Sequence, residues 1–470
     1  MIPRAPWLVV LLLLAPPLSG CRGDIVLDAG PEPGDVDFPD GGDPGNGDGD
    51  VGPPAEADQP ADLPGGDDGS AGPDADGAGG DGDTGGDDGG GPADTGADPG
   101  PCPATLAGRL ETFTIAVDPD RVNTAAGGYF SRYTPPLLAV RPGGVLLGWQ
   151  DGSGRAHVTP LDNGLQRAGP DVTVPANELR GLAAQADGAY AVLVQRGEDE
   201  MAIVGFAAAG TQVFDTLIIG ANNHDQEGDK WIRRDWGDNG RLAWYQDRYV
   251  VYFGHTMNWG SQGVHQGDLL WFYDRDGNRS GGSWDWGCSH SLEVRLAYDD
   301  QRLAPVCLSD CYPSKAICFN HRSAVIHDEP SGNCSGSSDA ELGGLVPATA
   351  GGFLLSFVSP EGRASRDVAL VRIGDDAGVG PLHWLTSSDD ISESSAHLAR
   401  YGTDLLAAWQ AGGETMAALV TEDGSFLLGP EVLSVSFNQQ TDFVTLPGGD
   451  VAWAHGSGSQ LLLYRIRLCR

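Results

Sequence analysis

LLAVRPGGVLLGWQ, residues 137–150, sets two short apolar runs on either side of a Pro-Gly-Gly turn. That is the pattern of two antiparallel strands joined by a tight connection. The unit returns as GLAAQADGAYAVLVQ from Gly181, RLAWYQDRYVVYFGH from Arg241, SLEVRLAYDDQRLAPVCLSD from Ser291, LVPATAGGFLLSFVS from Leu345, HLARYGTDLLAAWQ from His397 and DFVTLPGGDVAWAHG from Asp442. Marked at the second turn residue (Gly144, Gly188, Asp247, Asp300, Gly352, Thr403, Gly449), the copies are spaced by 44, 59, 53, 52, 51 and 46 residues. Strand pairs at a period near 50 predict the blades of a β-propeller. A third strand follows most pairs, as in AHVTPLDNG from Ala156 and MAALVTEDG from Met416. The fourth is the weakest in pattern, as an exposed outer edge should be.

The seventh copy has its pair and a third strand, LLLYRIRL from Leu461, and then the chain ends. Its missing strand is available at the start of the folded part, LETFTIAV from Leu110. Pairing the two termini would close a seven-bladed ring, and Cys102 and Cys469 flank the two strands where a disulfide would lock that closure. Two packed β-sandwiches are the competing all-β fold. They predict neither seven near-equal units nor a three-strand remnant at the end.

Charge divides the chain differently. Of the 470 residues, 66 are acidic and 28 basic, for a formal net charge of -38. Residues 22–101 hold 22 of the acids, one base, 24 Gly and 12 Pro, which leaves too little apolar surface to offset chain entropy. Residues 21–101 therefore read as a disordered Asp/Gly/Pro-rich tether, and residues 102–470 as the propeller domain. Asp74, Asp76, Asp81 and Asp83 offer oxygen ligands to a divalent cation, but without the regular spacing of an EF-hand loop. A chain this acidic repels nucleic acid and anionic lipid headgroups.

Residues 1–20 carry Arg4, an apolar run from Trp7 to Ala15, and small residues before Cys21, the order of a secretory signal. The run is too short to span a bilayer of about 30 Å as a helix. The LSGC tetrapeptide at Leu18–Cys21 resembles the lipobox of bacterial lipoproteins. That resemblance implies cleavage before Cys21 and its lipidation, palmitate included, with firm membrane anchoring. Arg22, in place of the aspartate that marks inner-membrane retention in enteric bacteria, points by the same analogy to the outer membrane or cell surface. Together with the stalk and the repeats, the chain resembles the broad class of bacterial surface lipoproteins that display a repeat-built β domain.

Four insertions swell blades two to four: residues 221–240, His255–Asp268, Trp284–His290 and Ser309–Lys315. Connections between blades and connections between second and third strands emerge on one side of a propeller. All four therefore belong to one loop face, and they carry the candidate ligand-binding residues His224, Arg233, His255, Trp259, His265, Asp268, Trp284, Trp286, His290 and Asp310, with Asp225 and Arg234 beside them. The indoles suit stacking on a sugar or a peptide. His265 and Asp268 could form a base and its orienting partner, or a metal set with His255 or His290. Glycoside cleavage needs two acids flanking one bond, and neither such a pair nor a GxSxG motif is evident. The reading is a displayed module that binds a glycan, peptide or protein. The alternatives are a metal-dependent or polysaccharide-acting hydrolase or lyase, and a structural envelope scaffold. A divalent cation is the one cofactor the residues suggest. Cys288, Cys307, Cys311, Cys318 and Cys334 staple the long loops as disulfides, or Cys307, Cys311 and Cys318 hold zinc with His321, at a spacing that matches no standard finger; five being odd, the disulfide pairing stays open.

Overall fold

Apolar runs with no polar face, such as Gly144–Gln150 and Phe353–Ser359, are buried at every position, so their sheets must be covered on both sides. The computed structural model describes residues 102–117, 135–174, 178–197, 199–220, 223–233, 240–290, 293–310, 314–321, 324–328 and 339–469. The signal segment, Cys21, the tether, Arg234, Cys311 and Cys334 lie outside the described residues.

Seven antiparallel sheets follow one another along the chain, each ordered from an inner strand outward. Blade one runs Leu137–Arg141, Gly144–Gln150, Ala156–Leu161, Val172–Val174. Blade two runs Glu178–Ala184, Tyr190–Arg196, Glu200–Phe206, Gln212–Ile219. Blade three runs Gly240–Tyr245, Arg248–Asn258, Val264–Tyr273, Arg279–Trp284. Blade four runs Glu293–Tyr298, Leu303–Ser309, Ala316–Phe319, Ala324–Asp328. Blade five runs Glu341–Pro347, Phe353–Ser359, Asp367–Ile373, His383–Trp384. Blade six runs Glu393–Tyr401, Asp404–Ala411, Glu414–Val420, Phe426–Val432. Blade seven takes Val444–Thr445, Val451–Ser457 and Gln460–Ile466 from the end of the chain, and its outermost strand, Leu110–Ala116, from the beginning.

The terminal strands pair in register from Leu110↔Ile466 to Ala116↔Gln460. Cys102 and Cys469 are disulfide-bonded beside them, Cα to Cα 5.5 Å. A single helical turn, Leu106–Arg109, sits between the bond and the first strand. Thr105 Oγ1 caps it, and Glu431 Oε2 accepts from the Leu106 and Ala107 amides, fastening it to the outer strand of blade six.

The core lies in the seams between blades. Leu193 and Ile203 of blade two pack with Val251, Phe253 and Trp271 of blade three. Leu308 and Ile317 of blade four meet Leu355 and Val371 of blade five. The seam that decides closure joins Val145, Leu147 and Trp149 of blade one to Ala452 and Leu463 of blade seven. First and last blades share a core, so the ring is closed: a seven-bladed β-propeller.

One expectation needs correction. His255–Asp268 is not a loop, because the second and third strands of blade three run on through it, pairing His255↔Gly267 and Met257↔His265. Only Trp259–Gly263 turns, around a short 3-10 segment at Gly260–Gln262. Lys230–Trp231 adds itself to the extension opposite Met257 and Thr256. His255–Met257 and Gln266–Asp268 are buried at every position, Val264 and His265 are exposed, and the backbone stays paired throughout.

Candidate functional site

The four insertions are fastened to one another on one face. From residues 221–240, the His224 carbonyl accepts from Asn258 Nδ2 of the blade-three hairpin at 2.9 Å. From the blade three to four connection, the His290 amide donates to Gln266 O of the same hairpin at 3.0 Å. Across to the blade-four insertion, His290 Nδ1 meets the Asp310 carboxylate at 2.9 Å. The Cys288–Cys307 disulfide and the Ser309 hydroxyl, donating to Ser289 O, tie the connection to blade four.

Trp259, at the hairpin tip, and Trp286, on the connection, stand edge to face with centroids 5.4 Å apart, both half-buried. The contact depends on Gly267, where a Cβ would lie 2.3 Å from Trp286 Nε1. His224, at φ 57°, stacks on Trp231 at 4.2 Å with its Nε2 3.2 Å from Asp199 Oδ2. Asp285 is exposed between Lys230 (3.4 Å) and Arg279 (3.5 Å), and accepts from Trp271 Nε1 at 2.8 Å. Burial opposes its charge, but Lys230, Trp271 and Arg279 hold its carboxyl below the usual range. Arg233 is half-buried.

Other candidates are committed to the scaffold. Asp268 is fully buried; Oδ1 accepts from Trp284 Nε1 at 2.8 Å and Oδ2 from the Tyr252 hydroxyl at 3.0 Å. It aims Trp284, which stacks on His321. His255 is 1% exposed and its Nε2 donates to Asp285 O at 2.7 Å; burial pushes its pKa down to about 4, so it is neutral at pH 7. His265 is exposed and its Nε2 donates to Gln262 O at 3.2 Å. Three positions apart on one strand, His265 and Asp268 face opposite sides, so the structure does not bring the base and its orienting partner together. The His/Asp metal set does not converge either. Among the described residues, the one group of His, Cys, Asp or Glu close enough to share an ion is Cys288, Cys307 and Cys318.

A second polar cluster escaped the sequence reading. Gln439, which precedes the inner strand of blade seven, donates through Nε2 to Glu293 Oε1 on the inner strand of blade four. Those blades are as far apart as a ring of seven allows, so the contact crosses the axis. Arg295 donates to the carbonyls of Gly343 (2.8 Å), Leu342 (3.1 Å) and Gln439 (2.7 Å). Arg241 faces Asp442 at 3.2 Å, and His397 Nε2 donates to Asn438 O at 3.0 Å. Burial pushes Glu293 up to about 8, against the pull of Arg295, and drives Arg295 down to about 10. It also lowers His397 to about 3, with Arg295 adding to the effect. Glu293 and Glu341 each accept an amide from the next blade, Leu342 at 2.7 Å and Ser395 at 2.9 Å. Segment 437–442 thus plugs the axis on the loop side.

No protein-family model matches the chain, and no curated protein matches its sequence. Solved structures with a similar course of chain include YCF48 bound to D1 peptide (11% identity, TM-score 0.45, 76% of this chain and 96% of that one). Puromycin hydrolase is similar at 12% identity and TM-score 0.33 over 73% of this chain and 47% of that one. The WD40 β-propeller domain of Doa1 is similar at 12% identity and TM-score 0.38 over 74% and 96%. The assignment of the fold rests on the chain's own strand pairing and seams rather than on these likenesses.

Proposed function

We propose that the protein is a lipid-anchored envelope or cell-surface lipoprotein whose propeller binds a protein or peptide partner through the loop face of blades three and four. One observation carries the reading. Four insertions from neighbouring blades are cross-tied on one face and leave Trp259, Trp286, His290, Asp310 and Asp285 reachable by solvent. Half-buried indoles amid paired charges offer apolar anchors with a polar rim, the composition of interface hot spots. The hydrolase or lyase reading loses its His265–Asp268 pair.

The anchor rests on LSGC at Leu18–Cys21 and the acidic tether that follows. Cys21→Ala should abolish palmitate labelling and move the protein from the membrane to the soluble fraction; retention at the membrane would refute the anchor. For recognition, Trp259→Ala with Trp286→Ala should weaken partner capture at least tenfold while leaving the circular dichroism spectrum and Tm near those of the wild type. Capture unchanged by the double substitution, or loss of it on treating the partner with glycosidases, would overturn the protein-binding reading, the latter in favour of a glycan.

A further inference from the structure

Cys288 comes from the connection between blades three and four, Cys307 from the second strand of blade four and Cys318 from its third. Their sulfurs lie within 4.8 Å of one another, and all three residues are fully buried. Cys307 and Cys318 are register partners on adjacent strands. Cys288 reaches in from the side and is bonded to Cys307, Cα to Cα 6.5 Å, while Cys318 is a free thiol. A staple for the Trp284–His290 connection needs two sulfurs. The third lies within reach of the other two.

We propose that the reduced form of this cluster is a three-thiolate site for a soft divalent cation, zinc or cadmium, and that the metal and the Cys288–Cys307 bond are alternative states of the same sulfurs. Thiolates select soft cations. Metal–sulfur distances near 2.3 Å place sulfurs about 3.8 Å apart in a tetrahedral site, so Cys318 needs to close in by at most about 1 Å once the bonded pair has opened. The three ligands come from elements already held in place, by the strand register and by the Ser309–Ser289 hydrogen bond, so the site is assembled by the fold. Asp268 and Asp328 add negative charge around Cys318, which favours a cation there.

The chemistry balances with a dithiol as reductant. It gives two electrons and two protons to the Cys288–Cys307 bond and becomes a disulfide itself, leaving three thiols. Binding one divalent cation then releases three protons and leaves a complex of net charge minus one. Either state pins the connection that bears Trp284, Trp286 and His290 to blade four, so the site keeps the recognition face in place under reducing as well as oxidising conditions. The readouts below are metal and sulfur, and their outcome is separate from that of partner binding.

The test reduces the full chain carrying Cys21→Ser with dithiothreitol, removes the reductant without air, and titrates cadmium while following thiolate-to-metal absorption. One equivalent should bind tightly. Cys318→Ser should lose at least tenfold in affinity, and Cys102→Ser with Cys469→Ser should lose none. Should Cys318→Ser fail to fold, X-ray absorption of the cadmium-loaded unsubstituted chain decides: three sulfurs on the metal support the site. Two or fewer sulfurs, or affinity unchanged by Cys318→Ser, would overturn it.

Discussion

The axis and the loop face of blades three and four are both polar, both built from residues that begin strands or join blades, and both on the same side of the ring. They differ in what the polar groups are for. At the axis, Glu293 and Arg295 are 0% and 3% exposed and turn their bonds inward, to Leu342, Gly343 and Gln439. On the loop face, His290, Asp310 and Asp285 are paired yet still exposed in part, with indoles beside them. Glu293, Arg295 and His397 at the axis are all strongly perturbed, and there burial marks assembly of the ring. Displaced titration is a guide to function only when the group can also be reached.

The largest effect should come from the axis. Arg295→Met strips the donors from two carbonyls of blade five and from Gln439 O, leaving three buried acceptors unmet, so a loss of about 3–5 kcal/mol in unfolding free energy is expected. Glu293→Gln, which replaces a carboxyl that burial keeps largely protonated at pH 7, should cost far less in the same denaturant titrations. A loss below about 1 kcal/mol for Arg295→Met would mean the axial network does not hold the ring. Next is closure: Cys102→Ser should cost about 2–5 kcal/mol, seen as a lower Tm that Cys469→Ser reproduces.

A pH effect follows from His397, whose pKa burial lowers to about 3 from an ordinary 6.5. The unfolded chain takes up a proton below pH 6.5 that the folded one refuses until about 3. The stability it supports is therefore complete above 6.5 and falls as pH drops through that window, by about 1.4 kcal/mol per unit. His255 acts in the same direction down to about 4. His397→Asn should remove one proton's worth of slope between pH 6.5 and 4, measured by urea unfolding at stepped pH; an unchanged slope would contradict a neutral buried imidazole. The smallest effect is at His265, exposed and held only by Gln262 O, where alanine should shift stability by less than about 0.5 kcal/mol.

Much of the ring was legible because its signal is local. A turn between two apolar runs states a strand pair within fifteen residues, and repetition near 50 residues states the blades. The borrowed strand at Leu110 was legible from the remnant at the other end. The axial plug was not, because Gln439 and Glu293 are 146 residues apart and nothing near either names the other. Its one local trace was a Glu opening the inner strand in four blades, Glu178, Glu293, Glu341 and Glu393. On the loop face, the cluster of insertions and its Trp residues were visible, but Gly and Asn in HTMNWGSQG suggested a loop where strands continue. That misreading put His265 and Asp268 on a free segment, where the strand sets them on opposite sides. Trp231, Asp285 and Lys230 were missed for the complementary reason: their roles exist only once the extended hairpin is there to receive them.

The central claim is that recognition uses the face of blades three and four rather than the axis or the opposite side. Photo-crosslinking amino acids placed singly at Trp259, at His290 and, on the opposite face, at Asp187 and Thr403 would test it in intact cells. One shared crosslinked partner is expected from 259 and 290, and none from 187 or 403. The same partner captured from the opposite positions, with nothing at 259 and 290, would contradict it.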